Sequence, residues 1–184
     1  VAERVDDLLA RMTLEEKAGL MFQPALMIGP DGALAEGSAE LIATRNVNHF
    51  NIYFAPGARL LAEWHNRLQE VAAGTRLGIP VTISSDPRHS FDENPATSWA
   101  AGSFSQWPEP IGLGAAGDEE LARRFGDVAR QEYRAVGIHV ALHPMADVAT
   151  EPRWARIAVT FGEDFELVGR LTAAYIRGFQ GDEM

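Results

Sequence analysis

A chain of 184 residues with 46% hydrophobic and 23% charged residues is long enough for one domain with its own core, and that balance excludes intrinsic disorder. Its 16 Lys and Arg stand against 26 Asp and Glu, a formal net charge of −10, which excludes a general binder of nucleic acid or anionic membrane and favours a neutral or cationic small ligand. Without cysteine there are no disulfides or thiolate metal sites, and no apolar run approaches the roughly 18 residues of a transmembrane span.

The N-terminus is charged within four residues rather than signal-like, so the chain is expected to be soluble, with its compartment left open between cytoplasmic and processed periplasmic or secreted. Because it begins at Val1 rather than Met, it is expected to be processed or excised from something longer. Residues 2–20 read as helix, with Val5, Leu8, Leu9 and Met12 at helical spacing. Within them, Thr13-Leu14-Glu15-Glu16 is a capping box that starts a further turn or a new helix. Residues 19–24 predict a first strand ending at Pro24. The Gly- and Asp-rich stretch 28–38 predicts a loop, and 39–44 a short helix. The β-branched and aromatic run 47–54 predicts a second strand. Leu60, Leu61, Trp64, Leu68 and Val71 mark an amphipathic helix over 58–75 that Gly74 stops.

A third strand is predicted over 81–84, then a long polar loop over 86–110 whose Trp99, Phe104 and Trp107 suggest a flat apolar ligand face or a packed lid. Asp118-Glu119-Glu120 begin a helix to 135, their acids matching the helix dipole, and Gly137 ends it. A fourth strand over 138–142 leads to a loop over 147–162, and a last helix runs from Asp164 as N-cap to about 179. Alternation at this spacing predicts a parallel sheet with right-handed crossovers, either an open sheet or the first part of a barrel that needs about 250 residues.

Two strand ends concentrate charge. Ile79-Pro80-Val81-Thr82-Ile83-Ser84-Ser85 runs into Asp86, Arg88 and His89, and the strand at 138–142 runs towards Glu151-Pro152-Arg153-Trp154-Ala155-Arg156. Ligands of parallel α/β folds bind at the C-terminal edge of the strands, so these residues are the candidate site. Taken alone, Asp86 also reads as a turn aspartate before Pro87, and Arg156 as an ion-pair partner of Glu151 or Glu163. A metal-dependent hydrolase is the competing class, with His139 and His143 on one strand face joined by His49, His89 and Asp147. No His-x-His or His-Glu-x-x-His spacing supports it, and no metal or cofactor is expected.

Three stretches carry a family resemblance in order and spacing. They are Arg4-Val5-Asp6-Asp7-Leu8-Leu9-Ala10-Arg11-Met12-Thr13-Leu14-Glu15-Glu16-Lys17, then Gly78-Ile79-Pro80-Val81 with Asp86-Pro87-Arg88-His89, then Glu151-Pro152-Arg153-Trp154-Ala155-Arg156 with Thr160-Phe161-Gly162-Glu163-Asp164. Over nearly its whole length the chain resembles the N-terminal part of family 3 glycoside hydrolases, the β-glucosidase and exo-glucosidase family. The resemblance implies an α/β fold, a (β/α)8 TIM-like barrel domain of which residues 1–184 supply roughly the first half. It also implies a retaining hydrolase that cleaves terminal β-D-glucosyl residues from β-glucosides.

By position, Asp86 corresponds to the carboxylate that accepts from sugar hydroxyls in the −1 subsite, and Arg156 to the arginine that donates to them. Such chemistry suits an acceptor-only carboxylate and a rigid fork of donors. Arg88 and His89 are expected to brace the loop, with sugar contact as a second role; Arg153 and Trp154 are expected to pack and pair, and Asp147 to be structural. No catalytic residue of the family matches a position here. A Lys-His pair and the aspartate nucleophile are expected after Met184 and the acid/base glutamate in another domain, whereas retention needs two carboxyl groups about 5 to 5.5 Å apart. Ala155 stands where glycine is usual, and Ala158-Val159 where acids are frequent. The expected partners are a β-glucoside or oligosaccharide and the rest of the barrel with a C-terminal domain, in cis or as a separate chain. A β-N-acetylhexosaminidase of the same family and a non-catalytic carbohydrate-binding or assembly module are the alternatives.

Overall fold

A computed structural model describes residues 2–91 and 101–181; Trp99, singled out above, lies outside the described residues. The chain divides into two compact units, Val1–Ser84 and Ser85–Met184. No described helix is long and apolar enough to cross a membrane.

In the first unit the N-terminal helical stretch is two helices, α1 (Ala2–Arg11) and α2 (Leu14–Gly19). The break falls at the capping box: Glu16 N donates to Thr13 Oγ1 at 3.2 Å and Thr13 N to Glu16 Oε2 at 2.9 Å, which satisfies two orphan amides reciprocally. Arg76 then grips Glu16 with two donors, Nε to Oε1 at 3.0 Å and a terminal nitrogen to Oε2 at 2.5 Å. After α3 (Ser38–Ala43) come β1 (His49–Ile52), α4 (Ala58–Ala73) and β2 (Thr82–Ser85). Leu61, Trp64, Leu68 and Ala72 form the buried stripe of α4, and Gly74 is its C-cap.

β1 and β2 pair in parallel: Thr82 N donates to Asn48 O at 2.8 Å and Ser84 Oγ to Phe50 O at 3.2 Å, two residues further on in both strands. Gln69 of α4 completes the start of β2, its amide donating to Val81 O at 2.8 Å and accepting from Val81 N at 3.0 Å. The expected strand over 19–24 does not form. Gly19 belongs to α2, packed so closely that a Cβ there would sit 2.4 Å from Asn46 O, and the segment beyond that helix makes a single parallel bridge between Ala25 and Asn51. Pro24 has no N–H to extend that ladder, although its carbonyl accepts from Asn51 N at 3.0 Å.

The second unit contains α5 (Pro110–Ala116), α6 (Glu119–Val136), β3 (Ile138–Ala141) and α7 (Phe165–Gln180). α5 closes the predicted loop, and its two interior glycines hid it from propensity. Asp118 and Asp164 cap α6 and α7 with their carboxylates, and Gly137 ends α6 in the left-handed conformation. Ser85, the last residue of β2, accepts from Leu142 N at 3.0 Å and so ties its end to that of β3. α6 buries Ala122, Phe125, Ala129 and Tyr133 against Val168, Leu171, Ala174 and Tyr175 of α7. Glycines set that approach: a Cβ on Gly178 would meet Arg123 O at 1.9 Å, and one on Gly126 would meet Tyr175 O at 2.3 Å. Backbone-level contact of the two helices brings Tyr133 and Tyr175 to a common place behind the strand ends.

Candidate functional site

Past β2 the chain is held from behind. Ser85 is fully buried, donates through Oγ to Asp86 O at 2.8 Å, and accepts from Arg88 Nε at 2.5 Å. Arg88 is 2% exposed, and burial lowers its pKa against the opposing pull of Tyr133 and Asp86. Asp86, between them, is half-buried, and its carbonyl also accepts from Tyr133 Oη at 3.0 Å.

His89, likewise 2% exposed, lies 2.9 Å through Nε2 from Glu132 Oε2 of α6. A carboxylate only accepts, so Nε2 carries the proton. Burial pulls the His89 pKa below its usual value, Arg88 adds to that, and the attraction of Glu132 opposes it. Glu132 gathers further donors, Ser105 N at 3.0 Å and Ser105 Oγ at 3.1 Å, while Trp107 Nε1 donates to Ser105 Oγ at 2.9 Å and Trp107 N to His89 O at 2.7 Å. Phe104 packs at 5.5 Å from the His89 ring and Trp107 at 4.9 Å from Phe125. Of the two readings of the loop aromatics, Phe104 and Trp107 fit the packed lid.

His143, just after β3, is bonded at both nitrogens: Nε2 lies 3.0 Å from Tyr133 Oη and Nδ1 2.7 Å from Tyr175 Oη. Burial pushes its pKa down to about 3, and burial raises both tyrosine pKa values. A cavity of about 20 Å³ lies beside Pro87, His89, Phe125, His143 and Tyr175. That is room for roughly one water, not for a sugar ring. His89 Nδ1 has no hydrogen-bond partner among the described residues.

The loop past β3 is built differently. Arg153 forms a two-pronged pair with Glu151, Nε to Oε1 at 2.8 Å and a terminal nitrogen to Oε2 at 2.9 Å, with the arginine side chain 88% exposed. Glu151 is thus engaged by Arg153. Arg156 is the N-cap of a 3-10 turn (Ile157–Val159); it is half-buried, and its Nε has no partner among the described residues. Asp147, Glu151, Arg153 and Trp154 line an open groove of about 500 Å³. The structure therefore gathers Asp86, Arg88 and His89 into one cluster, while the described contacts of Arg156 lie within its own loop. Among the described residues no three His, Asp or Glu side chains are arranged to hold a metal ion. His139 is exposed on β3, and His143 is committed to its tyrosines.

Glu132 and Tyr133 of α6 and Tyr175 of α7 escaped sequence reasoning. A signal was present: tyrosines on a buried helical stripe must find partners for their hydroxyls, and these face the strand ends.

Parallel strands alternating with helices, with charge collected past their C-terminal ends, define an α/β-barrel type of fold. The chain belongs to glycosyl hydrolase family 3: the family's N-terminal domain model matches residues 13–184. It is 53% identical over 191 residues to the probable beta-glucosidase C of Aspergillus flavus, covering 100% of this chain and 30% of that protein. The periplasmic beta-glucosidase/beta-xylosidase of Dickeya chrysanthemi is 49% identical over 189 residues, 97% of this chain and 28% of that protein. A family 3 beta-N-acetylglucosaminidase from Paenibacillus sp. str. FPU-7 superposes with a TM-score of 0.79 at 28% identity, covering 92% of this chain and 31% of that one. The chain thus spans about 30% of the length of the curated relatives it matches. Its fold is that of the family's N-terminal TIM-like barrel domain.

Proposed function

We propose that the protein carrying this chain is a retaining β-glucosidase, with these residues supplying sugar-binding groups of the −1 subsite. The observation that carries the reading is the 53% identity, across the whole chain, to a relative named as a β-glucosidase. Asp86 accepts from hydroxyls of the terminal sugar, and Arg156, whose Nε is unclaimed by described residues, donates to them. Arg88 and His89, both buried, brace Asp86 rather than touch the sugar. Nucleophile and acid/base lie in the remainder of the barrel and a further domain, which this reading places in cis. Similarity to the Paenibacillus enzyme favours a second specificity, β-N-acetylglucosaminide cleavage.

The test is hydrolysis of an aryl β-glucoside and the matching N-acetylglucosaminide by the full-length protein. Asp86→Ala should lower kcat/KM on the preferred substrate about a thousandfold, the loss of charge-assisted bonds that strengthen toward the transition state. Arg156→Ala should cost about 10- to 100-fold. A near-normal rate in Asp86→Ala sinks the assignment. Sugar binding without turnover by the full-length protein would instead identify a non-catalytic carbohydrate-binding module.

A further inference from the structure

The hydroxyls and imidazole behind Asp86 have a determined direction. Asp86 O is a carbonyl and can only accept, so the Tyr133 hydroxyl proton is committed to it at 3.0 Å. Tyr133 Oη must then accept at its contact with His143, so Nε2 carries the imidazole proton and donates across 3.0 Å. In a neutral imidazole Nδ1 is consequently bare, and it accepts from Tyr175 Oη at 2.7 Å. With its pKa held at about 3, His143 stays neutral through the ordinary pH range, so the direction persists. Three elements contribute one member each: α7, the segment after β3, and α6. The chain ends on the backbone of Asp86, to which Ser85 Oγ also donates.

We infer that Tyr175, His143 and Tyr133 form a one-way hydrogen-bond relay that positions Asp86 through its carbonyl, making Tyr133 a positioning residue of the sugar site. The inference rests on the reading of Asp86 as a sugar-binding carboxylate. Its physical content is preorganisation: a carboxylate that must meet hydroxyls within a few tenths of an ångström is held by fixing the peptide it hangs from. A relay tied to two helices fixes that peptide better than a turn can. In a low-dielectric surrounding each bond also polarises the next, so the links act as a unit.

The experiment uses the full-length protein and a panel of aryl β-glucosides that each lack one hydroxyl. Asp86→Ala identifies the deoxy substrates whose turnover no longer depends on that carboxylate. Tyr133→Phe, which keeps the ring and removes the hydroxyl, is expected to lower kcat/KM on the intact glucoside about tenfold while sparing those same deoxy substrates. Tyr175→Phe should show the same substrate pattern at about threefold, and the double variant should be no worse than Tyr133→Phe alone. His143→Gln, which offers one donor and one acceptor, should retain most activity where His143→Leu does not. Should Tyr133→Phe fail to fold, Tyr175→Phe and the His143 pair carry the test. A uniform loss across the panel, or wild-type rates in these variants while Asp86→Ala is impaired, overturns the relay alone. A wild-type rate in Asp86→Ala overturns the sugar-binding reading on which it rests.

Discussion

The chain carries charge past the ends of two strands, and it secures the two loops by opposite means. Past β2, Asp86 follows a buried serine and precedes a buried arginine and histidine; Glu132 of one helix holds the histidine, and Tyr133 beside it holds the Asp86 carbonyl and is tied through His143 to Tyr175 of another helix. Past β3, Glu151 and Arg153 pair with each other in solvent, and the loop turns on short-range bonds such as Trp154 N to Glu151 O at 3.0 Å. The difference separates two ways of presenting charge. A side chain that must be placed accurately is built on a peptide fixed by tertiary bonds, whereas an exposed pair between close neighbours adds little constraint, because water competes for both ends.

Acid should break the first arrangement most. The pKa of His143 is depressed from 6.5 to about 3 in the folded protein, so between those values the unfolded chain binds the extra proton. Stability from this group is therefore present above about pH 6.5 and lost as the pH falls toward 3, to a total of up to about 5 kcal/mol. His89, also depressed, acts in the same direction, as do the lowered carboxylates Glu16, Glu120, Asp127 and Glu151. Denaturant titrations of wild type and His143→Gln across that range isolate the contribution of His143: the variant should show the shallower slope.

Gly178→Ala should come next. Its methyl would lie 1.9 Å from Arg123 O, which forces α7 off α6 and Tyr175 away from His143, at about 3 kcal/mol. A lowered denaturation midpoint would be the sign, and an unchanged one would mean the helix pair is not what holds the β2 rim. Arg153→Ala is the smallest change, since its only described partner is the exposed Glu151. Thermal midpoint and hydrolytic rate should both stay at wild-type values, and a large fall in either would show that the β3 loop is more tightly integrated than its contacts indicate.

Much of this fold was legible in the residues themselves. The capping box at Thr13 and Glu16, the N-caps Asp118 and Asp164 and the stops at Gly74 and Gly137 act through local backbone chemistry, so each could be read within a few positions of itself. The strand expected before Pro24 failed because a strand exists only through its partner's ladder, and Pro24 offers no donor to it. Among the candidate site residues, Asp86 and Arg156 stood out by motif, and Arg88 and His89 by their neighbourhood. That Arg88 and His89 are buried at 2% exposure was not readable, because desolvation depends on what packs over a residue.

By itself the sequence determined the alternation of elements after Pro24 and the strand ends that carry charge, which derive from period, caps and local order, and its motifs carried the resemblance to the family. Only the tertiary structure decided that Tyr133 and Tyr175 converge on His143 and that the relay ends on Asp86 O. Those contacts join residues 47 and 32 positions apart, and they exist because Gly126 and Gly178 let two helices touch at the backbone.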